Sequence, residues 1–492
     1  MAEAMVIYCR KIARLVADGF MAGWVFRLPM LAALWFWPAV AHGVVYEVGE
    51  GRQFSEIGEV PWETLAPGDR VDIHWRSVPY AAKWVIARRG TESQPITIQG
   101  VPGPSGQLPV IEGRNARTRR ELNYWHGPRS VIKVGGANQP ADTYPAWIII
   151  QNLEVRGGRP PFSFTGSGGA EKYAENAAAI FIEKGEHIAI RGCTLHDSAL
   201  GLGVSAQSRE ILVENCHLYD NGLEGSVYQH NSYTSAAGMT YQFNRFGPLR
   251  AGCPGNNLKD RSAGLTVRGN WIAGGNRLLD LVDAEDNAAL RADPRYRETF
   301  VYGNVLIKPA AAGSNQLVQY GGDSGRTEWY RKGVLYFYNN TLVSHRRDTT
   351  IMFRLATNEE RVDCRNNIVQ LAEHDGKLAL LSAHGVLELN RNWLPNDWRN
   401  SHDQLQGRVV SVGRVVGGKS PGFVDEAIED FRLGPDSACI GAGAPLHPHA
   451  LFGHALTRQY VRHQSSQTRI SDGRNRDRSL DLGAFEFEPV KK

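Results

Sequence analysis

The chain has 492 residues, 42% hydrophobic and 22% charged, enough to bury a large core. Its 55 Lys and Arg against 51 Asp and Glu leave a formal charge of only +4, which supplies no strong field for nucleic acid or an anionic membrane. Fifty-three glycines, about 11% against a typical ~7%, mark many tight turns and argue for an all-β chain over a helical bundle.

At the N-terminus, Arg27 supplies a positive flank, Leu28 to Trp37 an apolar run and Ala39-Val40-Ala41 a small-residue cleavage site. The apolar run falls short of the roughly 20 residues that span a bilayer. Residues 1–41 are therefore expected to be a signal peptide, with cleavage after Ala41, and the protein to be periplasmic or secreted without stable membrane insertion; an uncleaved anchor is the alternative. Of six cysteines, Cys9 lies in this leader. Cys193, Cys216, Cys253, Cys364 and Cys439 show neither CxxC nor zinc spacing. Farther along, Arg114, Arg117, Arg119, Arg120 and Arg129 cluster with Tyr124, Trp125 and His126. They read as a surface loop, or as the rim of a groove for an acidic glycan.

The body of the chain repeats a short motif of β-formers, then Asn or Cys, then another apolar pair. It occurs as IIIQNLEV, IAIRGCTL, ILVENCHL, LTVRGNWI, TFVYGNVLI, LYFYNNTLV, VDCRNNIV and LELNRNWL. The central positions are Asn152, Cys193, Cys216, Asn270, Asn304, Asn340, Asn367 and Asn392, spaced 41, 23, 54, 34, 36, 27 and 25 residues apart. Several of these intervals suit one turn of a β-solenoid, and 54 is about two turns. Stacked coils lie ~4.8 Å apart, so one register of Asn builds a hydrogen-bonded ladder at a corner. Asn also tolerates the left-handed backbone such a corner needs. Cys193 and Cys216 share that register, as a disulfide or as stacked thiols. GLGVSA at 201–206 matches a loose dinucleotide fingerprint, but ILVENC follows at once and opens no helix, which argues against nucleotide binding.

Residues 224–286 carry the densest polar chemistry. Lys259 and Arg261 lie two apart and share a strand face. His230 and Tyr233 precede Lys259 by about one coil and Asp280 follows it by about one, so all five can meet on one outer face. The run LLDLVDAED offers Asp280, Asp283, Glu285 and Asp286 as hydrolase carboxylates or Ca²⁺ ligands. Asp280 and Asp283 need a corner between them, because a regular strand splits them between faces. The basic stretch 458–478 is expected to wrap loosely before a final strand.

The opening FSEIGEVPWETLAPGDRVDIHW, the repeats and the closing SPGFVDEAIEDFRLGPDSACIGAGAP with DLGAFEF resemble right-handed parallel β-helix, pectate lyase-like polysaccharide-degrading proteins, distantly related to alginate and chondroitin lyases. The resemblance covers about residues 44–487. It implies an all-β fold, a single right-handed parallel β-helix over 42–487 with an N-terminal cap and a short tail at 488–492. A polysaccharide substrate, preferably acidic, and a monomer are the partners and state it implies. Two departures stand out. The relatives carry Lys in an Asn-Lys-Ser context after acidic calcium ligands, whereas Lys259 sits in NNLKDRS with no acidic residue in the ten positions before it. Where those relatives place Leu-Arg-His-Gly, this chain has Leu-Leu-Asp-Leu.

The expected function is a lyase cleaving a uronate-containing polysaccharide by β-elimination. A uronate needs cations to offset its carboxylate and a group to move its C5 proton. Lys259 and Arg261 fill the first role, His230 or Tyr233 the second, and Asn231, Asn244, Arg245, Asn257 and Asp280 bind substrate. No cofactor is required on this reading; Ca²⁺ through Asp283 and Asp286 is the metal alternative. A hydrolase using Asp280 and Asp283, or a carbohydrate-binding β-helix without turnover, are the competing functions. On the lyase reading Lys259→Ala abolishes product and leaves folding intact.

Overall fold

Apolar residues at alternate positions of short strands send one face of each strand inward. Ile148, Ile188, Ile211, Met239 and Leu265 pair in register from one strand to the next, as do Ile150, Ile190, Val213, Tyr241 and Val267. All ten are buried. Every one of these pairings is parallel, and the strands belong to successive coils, so the chain winds a parallel β-helix around a continuous apolar core. The structure, a computed structural model, describes residues 43–139, 141–285, 287–310, 313–373, 375–469 and 479–489. They belong to one compact unit, 42–492; the leader expected at 1–41 lies outside the described residues. Among those residues no helix is long and apolar enough to cross a membrane.

Three ladders form the walls. Face 1 runs from Trp84–Ile86 to Arg399–Ser401, face 2 from Val45–Val48 to Arg408–Ser411 and face 3 from Val110–Glu112 to Val416–Gly418. In mid-chain the strands Ala178–Arg191, Leu200–Glu214 and Ser232–Gln242 serve faces 1 and 2 in turn, with a register shift at the corner between them. Between the first two strands of face 2, Ile57, Val60, Trp62 and Leu65 enter the core, and Trp62 stacks on Trp84 with ring centroids 5.2 Å apart. This segment covers the N-terminal end of the core, where face 1 has not yet begun.

The corner between faces 2 and 3 carries the asparagine ladder. Asn270 Nδ2 donates to Asn304 Oδ1 at 3.0 Å, Asn304 to Asn340 at 2.9 Å, Asn340 to Asn367 at 3.0 Å and Asn367 to Asn392 at 2.9 Å. Each Oδ1 also accepts the backbone N–H of the preceding rung. The 54-residue gap in the motif is filled by Asn244, which donates to Asn270 at 2.9 Å and accepts from the Cys216 N–H. Asn152 proves to be one position off: Gln151 pairs with Arg191 and Glu154 with Thr194, so Leu153 is the counterpart of Cys193. The left-handed turn falls one residue before each rung, at Asn152, Gly192, Asn215, Phe243, Gly269, Gly303, Asn339, Asn366 and Arg391, with φ between 52° and 66°. One residue thus bends the chain and the next bonds its neighbours. Cys193 and Cys216 are stacked, buried, free thiols.

Coiling ends at Gly418, short of the expected 487. The rest of the described chain returns along the outside, where Asn366 Nδ2 donates to the Ala444 carbonyl and Asn339 Nδ2 to that of Asp481, both at 2.8 Å. Trp271 stacks on Phe431 and Tyr460. Within the stretch expected to wrap loosely, Arg458–Val461 and Ser465–Thr468 instead form an antiparallel hairpin.

The ladder makes a direct prediction. Asn304→Ala takes the acceptor from the buried Asn270 N–H and removes side-chain bonds to Asn270 Nδ2, Asn340 Oδ1 and the Val267 carbonyl, at about 1–3 kcal/mol for a group left unsatisfied. A loss of about 2–4 kcal/mol is expected, read from the urea midpoint; an unchanged midpoint would remove the ladder from the account of stability.

Candidate functional site

On face 1 the outward positions form one row across the coils: Lys133, Phe181, Gly203, Tyr233, Lys259, Asp280, Gln319 and Arg354, each paired with the next. Tyr233, Lys259 and Asp280 are therefore adjacent rungs about 4.8 Å apart. Arg261 follows the strand Leu258–Asp260 and projects to the same side, with its Nε donating to Tyr233 Oη at 2.9 Å.

Lys259 and Arg261 are already partnered. Lys259 Nζ lies 2.9 Å from Asp280 Oδ2 and 2.5 Å from Asp323 Oδ2. Arg261 Nη2 lies 3.1 Å from Asp323 Oδ1 and 2.8 Å from Glu285 Oε1, and its Nη1 donates to the Asp283 carbonyl at 2.5 Å. Burial pushes the Asp323 carboxyl up, but Lys259 and Arg261 outweigh it and hold it below its ordinary value. Burial likewise opposes the charge on Lys259, and Asp280 and Asp323 reverse that, raising it. Asp280 accepts from Asn256 Nδ2 at 2.7 Å as well. Asp283 is fully buried and its Oδ1 takes the Asp323 N–H at 2.8 Å.

Beneath this row the core is polar. Ser232, Thr234 and Asp260 point inward where other coils place Leu, Ile and Val. Asp260 Oδ2 accepts from Thr234 and Ser262 hydroxyls at 2.7 and 2.8 Å, and Thr234 meets Tyr241 Oη at 2.9 Å. Arg331, also fully buried, lies 3.5 Å from Asp260 and donates to the carbonyls of Val282 and Ser262 at 2.9 and 2.8 Å. Burial raises the Asp260 carboxyl, against the pull of Arg331. A buried charge without its partner is strongly destabilising, so this pair ties the strand bearing Lys259, with Arg261 just after it, to the chain some 70 residues on.

Above Tyr233 opens a groove of about 500 Å³, lined among others by Arg129, Phe181, Tyr228, Gln229, Tyr233 and Arg261. His230 packs edge-on against Tyr233, with centroids 5.5 Å apart, but is only 2% exposed. Its Nδ1 accepts the Asn256 N–H at 3.0 Å. Burial first, then Lys259, push its imidazole down to about 3, so at neutral pH it is an uncharged, weakly basic ring. Tyr233 is the group of the two that reaches the groove.

Five sequence expectations change. Asn231 and Asn257 are fully buried in a second ladder, Asn221 to Asn231 at 3.0 Å and Asn231 to Asn257 at 2.9 Å, so their amides hold the coil and not a substrate. Asn244 is a rung of the main ladder. Arg245 stands on face 3, paired with His217 and Trp271, away from the row. Asp283, with its carboxylate turned to backbone, cannot serve as an exposed hydrolase group. Lys259→Ala would take the nearer cation from Asp280, 1% exposed, leaving it Asn256 Nδ2 at 2.7 Å and Arg277 at 3.7 Å, so a cost in stability is expected alongside any loss of activity. Asp286 lies outside the described residues, and among those described no three His, Cys, Asp or Glu side chains gather as a metal site. Asp323, Arg331 and Gln229 are distant in sequence or silent in any motif; Arg129, expected in a surface loop or on the rim of a groove for an acidic glycan, lines the groove.

Neither known protein families nor curated protein sequences give a match. Among solved structures the chain is similar to an alginate lyase from Paenibacillus sp. str. FPU-7, at 13% identity over 75% of this chain and 99% of that one, with a TM-score of 0.46. It is similar to the pectate lyase Pel9A at 12% identity, over 92% and 98%, with a TM-score of 0.48. A lacto-N-biosidase from Eubacterium ramulus matches at 11% identity, over 76% and 68%, with a TM-score of 0.41. These neighbours are polysaccharide lyases and glycoside-cleaving enzymes, and none fixes the chemistry of this chain.

Because His230 is held neutral, the unfolded chain binds a proton there that the folded chain refuses between its ordinary value of about 6.5 and about 3. Stability should therefore fall as pH drops through that window. His217, His454 and His463, each pushed by burial to about 4, add the same sign. In His230→Gln the slope of unfolding free energy against pH should shrink by about one proton. An unchanged slope, or a His230 ring that titrates near 6.5 by NMR, would contradict the geometry.

Proposed function

We propose that the protein is an enzyme acting on a uronate-containing polysaccharide, cleaving it by β-elimination at Tyr233. The observation that carries this reading is the Arg261–Tyr233 hydrogen bond at the floor of the groove. A phenolic oxygen that accepts from a guanidinium has a cationic donor where negative charge develops as its proton is passed. In the proposed step the phenolate takes the C5 proton, the C5 electron pair forms the C4–C5 double bond, and the C4–O4 bond breaks. The phenol then returns the proton to O4. Lys259 and Arg261 supply the positive field that offsets the sugar carboxylate. Asp323, whose side chain is 30% exposed, is the anion a substrate carboxylate would displace from them. His230, neutral and enclosed, supports the tyrosine ring.

One observation favours a second reading, hydrolysis. Asp323 Oδ1 and Glu285 Oε1 touch the same Arg261 nitrogen at 3.1 and 2.8 Å, so they lie no more than about 5.9 Å apart. Retaining glycosidases hold their carboxyl groups about 5–5.5 Å apart.

Tyr233→Phe separates the two. It keeps the ring and removes only the hydroxyl, so the melting temperature should stay within a few degrees. Formation of unsaturated uronate, followed by ultraviolet absorbance, should fall at least about 100-fold. If Tyr233→Phe remains active while Asp323→Asn abolishes new reducing ends that carry no unsaturation, hydrolysis replaces elimination.

A further inference from the structure

We infer that Arg129 and Gln229 form a subsite that binds the carboxylate and a hydroxyl of one uronic acid residue next to the sugar at Tyr233. This rests on the acidic-glycan reading above and names the residues that select the acid. The argument begins with the charges around the groove. Lys259 holds two carboxylates and Arg261 three. Arg129, on the 3₁₀ turn Gly127–Arg129, forms no ion pair and no side-chain hydrogen bond among the described residues, and its Nε is buried without a partner. The carboxylate that acts on it, Glu183, is held by Lys133 Nζ at 3.0 Å. The guanidinium carbon lies 4.2 Å from the ring centre of Phe181, which fixes its plane. An Arg held flat, with free donors, on the wall of a groove matches a carboxylate.

Gln229 is the second, independent feature. It is 3% exposed, its Nε2 donates to the Glu175 carbonyl at 2.9 Å, and its Oε1 is buried with no partner. A buried, unpaired amide oxygen is costly, and on this wall a sugar hydroxyl can satisfy it. Tyr228, 78% exposed at the same groove, offers a ring face to the sugar. Cation, acceptor and ring together describe an acidic pyranose.

The test is equilibrium binding by calorimetry on a Tyr233→Phe background, so that the ligand is not consumed. Oligomers of galacturonate, alginate oligomers and a glucuronate-containing glycosaminoglycan serve as probes, each beside its carboxyl-reduced counterpart. Arg129→Gln should weaken binding of the acidic oligomer about 10- to 100-fold while leaving the carboxyl-reduced one and the thermal midpoint unchanged. Arg129→Lys should recover part of the loss. Equal affinity in Arg129→Gln, equal losses for acidic and reduced oligomers, or no binding of any acidic probe would overturn the subsite. If binding depends on Arg129 but the native chain yields no unsaturated ends, the subsite stands and the elimination reading falls.

Discussion

Every coil of this protein must come back to within one strand spacing of the last, about 4.8 Å, and in register. That return is enforced at the corner between faces 2 and 3. The residue before each rung takes a left-handed turn, and the rung itself, Asn from 244 to 392, bonds the rung of the next coil through both backbone and side chain. The rungs are buried, so no water competes for their amides. Slippage of one coil would break several such bonds at once and turn an apolar stripe outward. The ladder therefore sets the position of everything displayed on the outer faces, including residues far from it.

The functional consequence lies on face 1. Tyr233, Lys259 and Asp280 are neighbours because each occupies the same outward position on consecutive coils. The solenoid replaces its apolar filling with Ser232, Thr234, Asp260, Tyr241 and Arg331 beneath them. A paired buried charge offers little net stability over an apolar core. Its effect is geometric, since Arg331 bonds to backbone carbonyls at Asp260, Ser262 and Val282 and so fixes the segment that carries Lys259 and Arg261. Above that base, Lys259 and Arg261 are closely matched by Asp280, Asp323 and Glu285. Arg129, on the wall of the same groove, has no ion-pair partner among the described residues, since Glu183 beside it is held by Lys133.

Legibility followed distance along the chain. The motif spacing exposed the coil, and even its 54-residue gap pointed to a missing rung, because a ladder writes the same residue type at regular intervals. The row of Tyr233, Lys259 and Asp280 was legible for the same reason, as each member lies about one coil from the next. The roles of Asn231, Asn244 and Asn257 are not legible in the sequence, since an Asn that binds sugar and an Asn that binds the next coil look alike in one dimension. Asp323 and Arg331 follow no repeat. They reach the site on loops after strands, where length and path are set by packing and not by period.

By itself, then, the sequence determined that the chain is all-β, that it coils in parallel around an apolar core, and that one segment gathers the polar chemistry. Those properties are local or periodic: alternation of side chains, turn residues, and a repeated amide. Tertiary structure alone decided which polar groups face inward, that Asp323 neutralises both Lys259 and Arg261, that His230 is enclosed and neutral, and that Arg129 stands over Phe181 in the same groove as Tyr233. Burial and charge pairing depend on what lies across a coil or at the end of a loop, and no spacing along the chain encodes them.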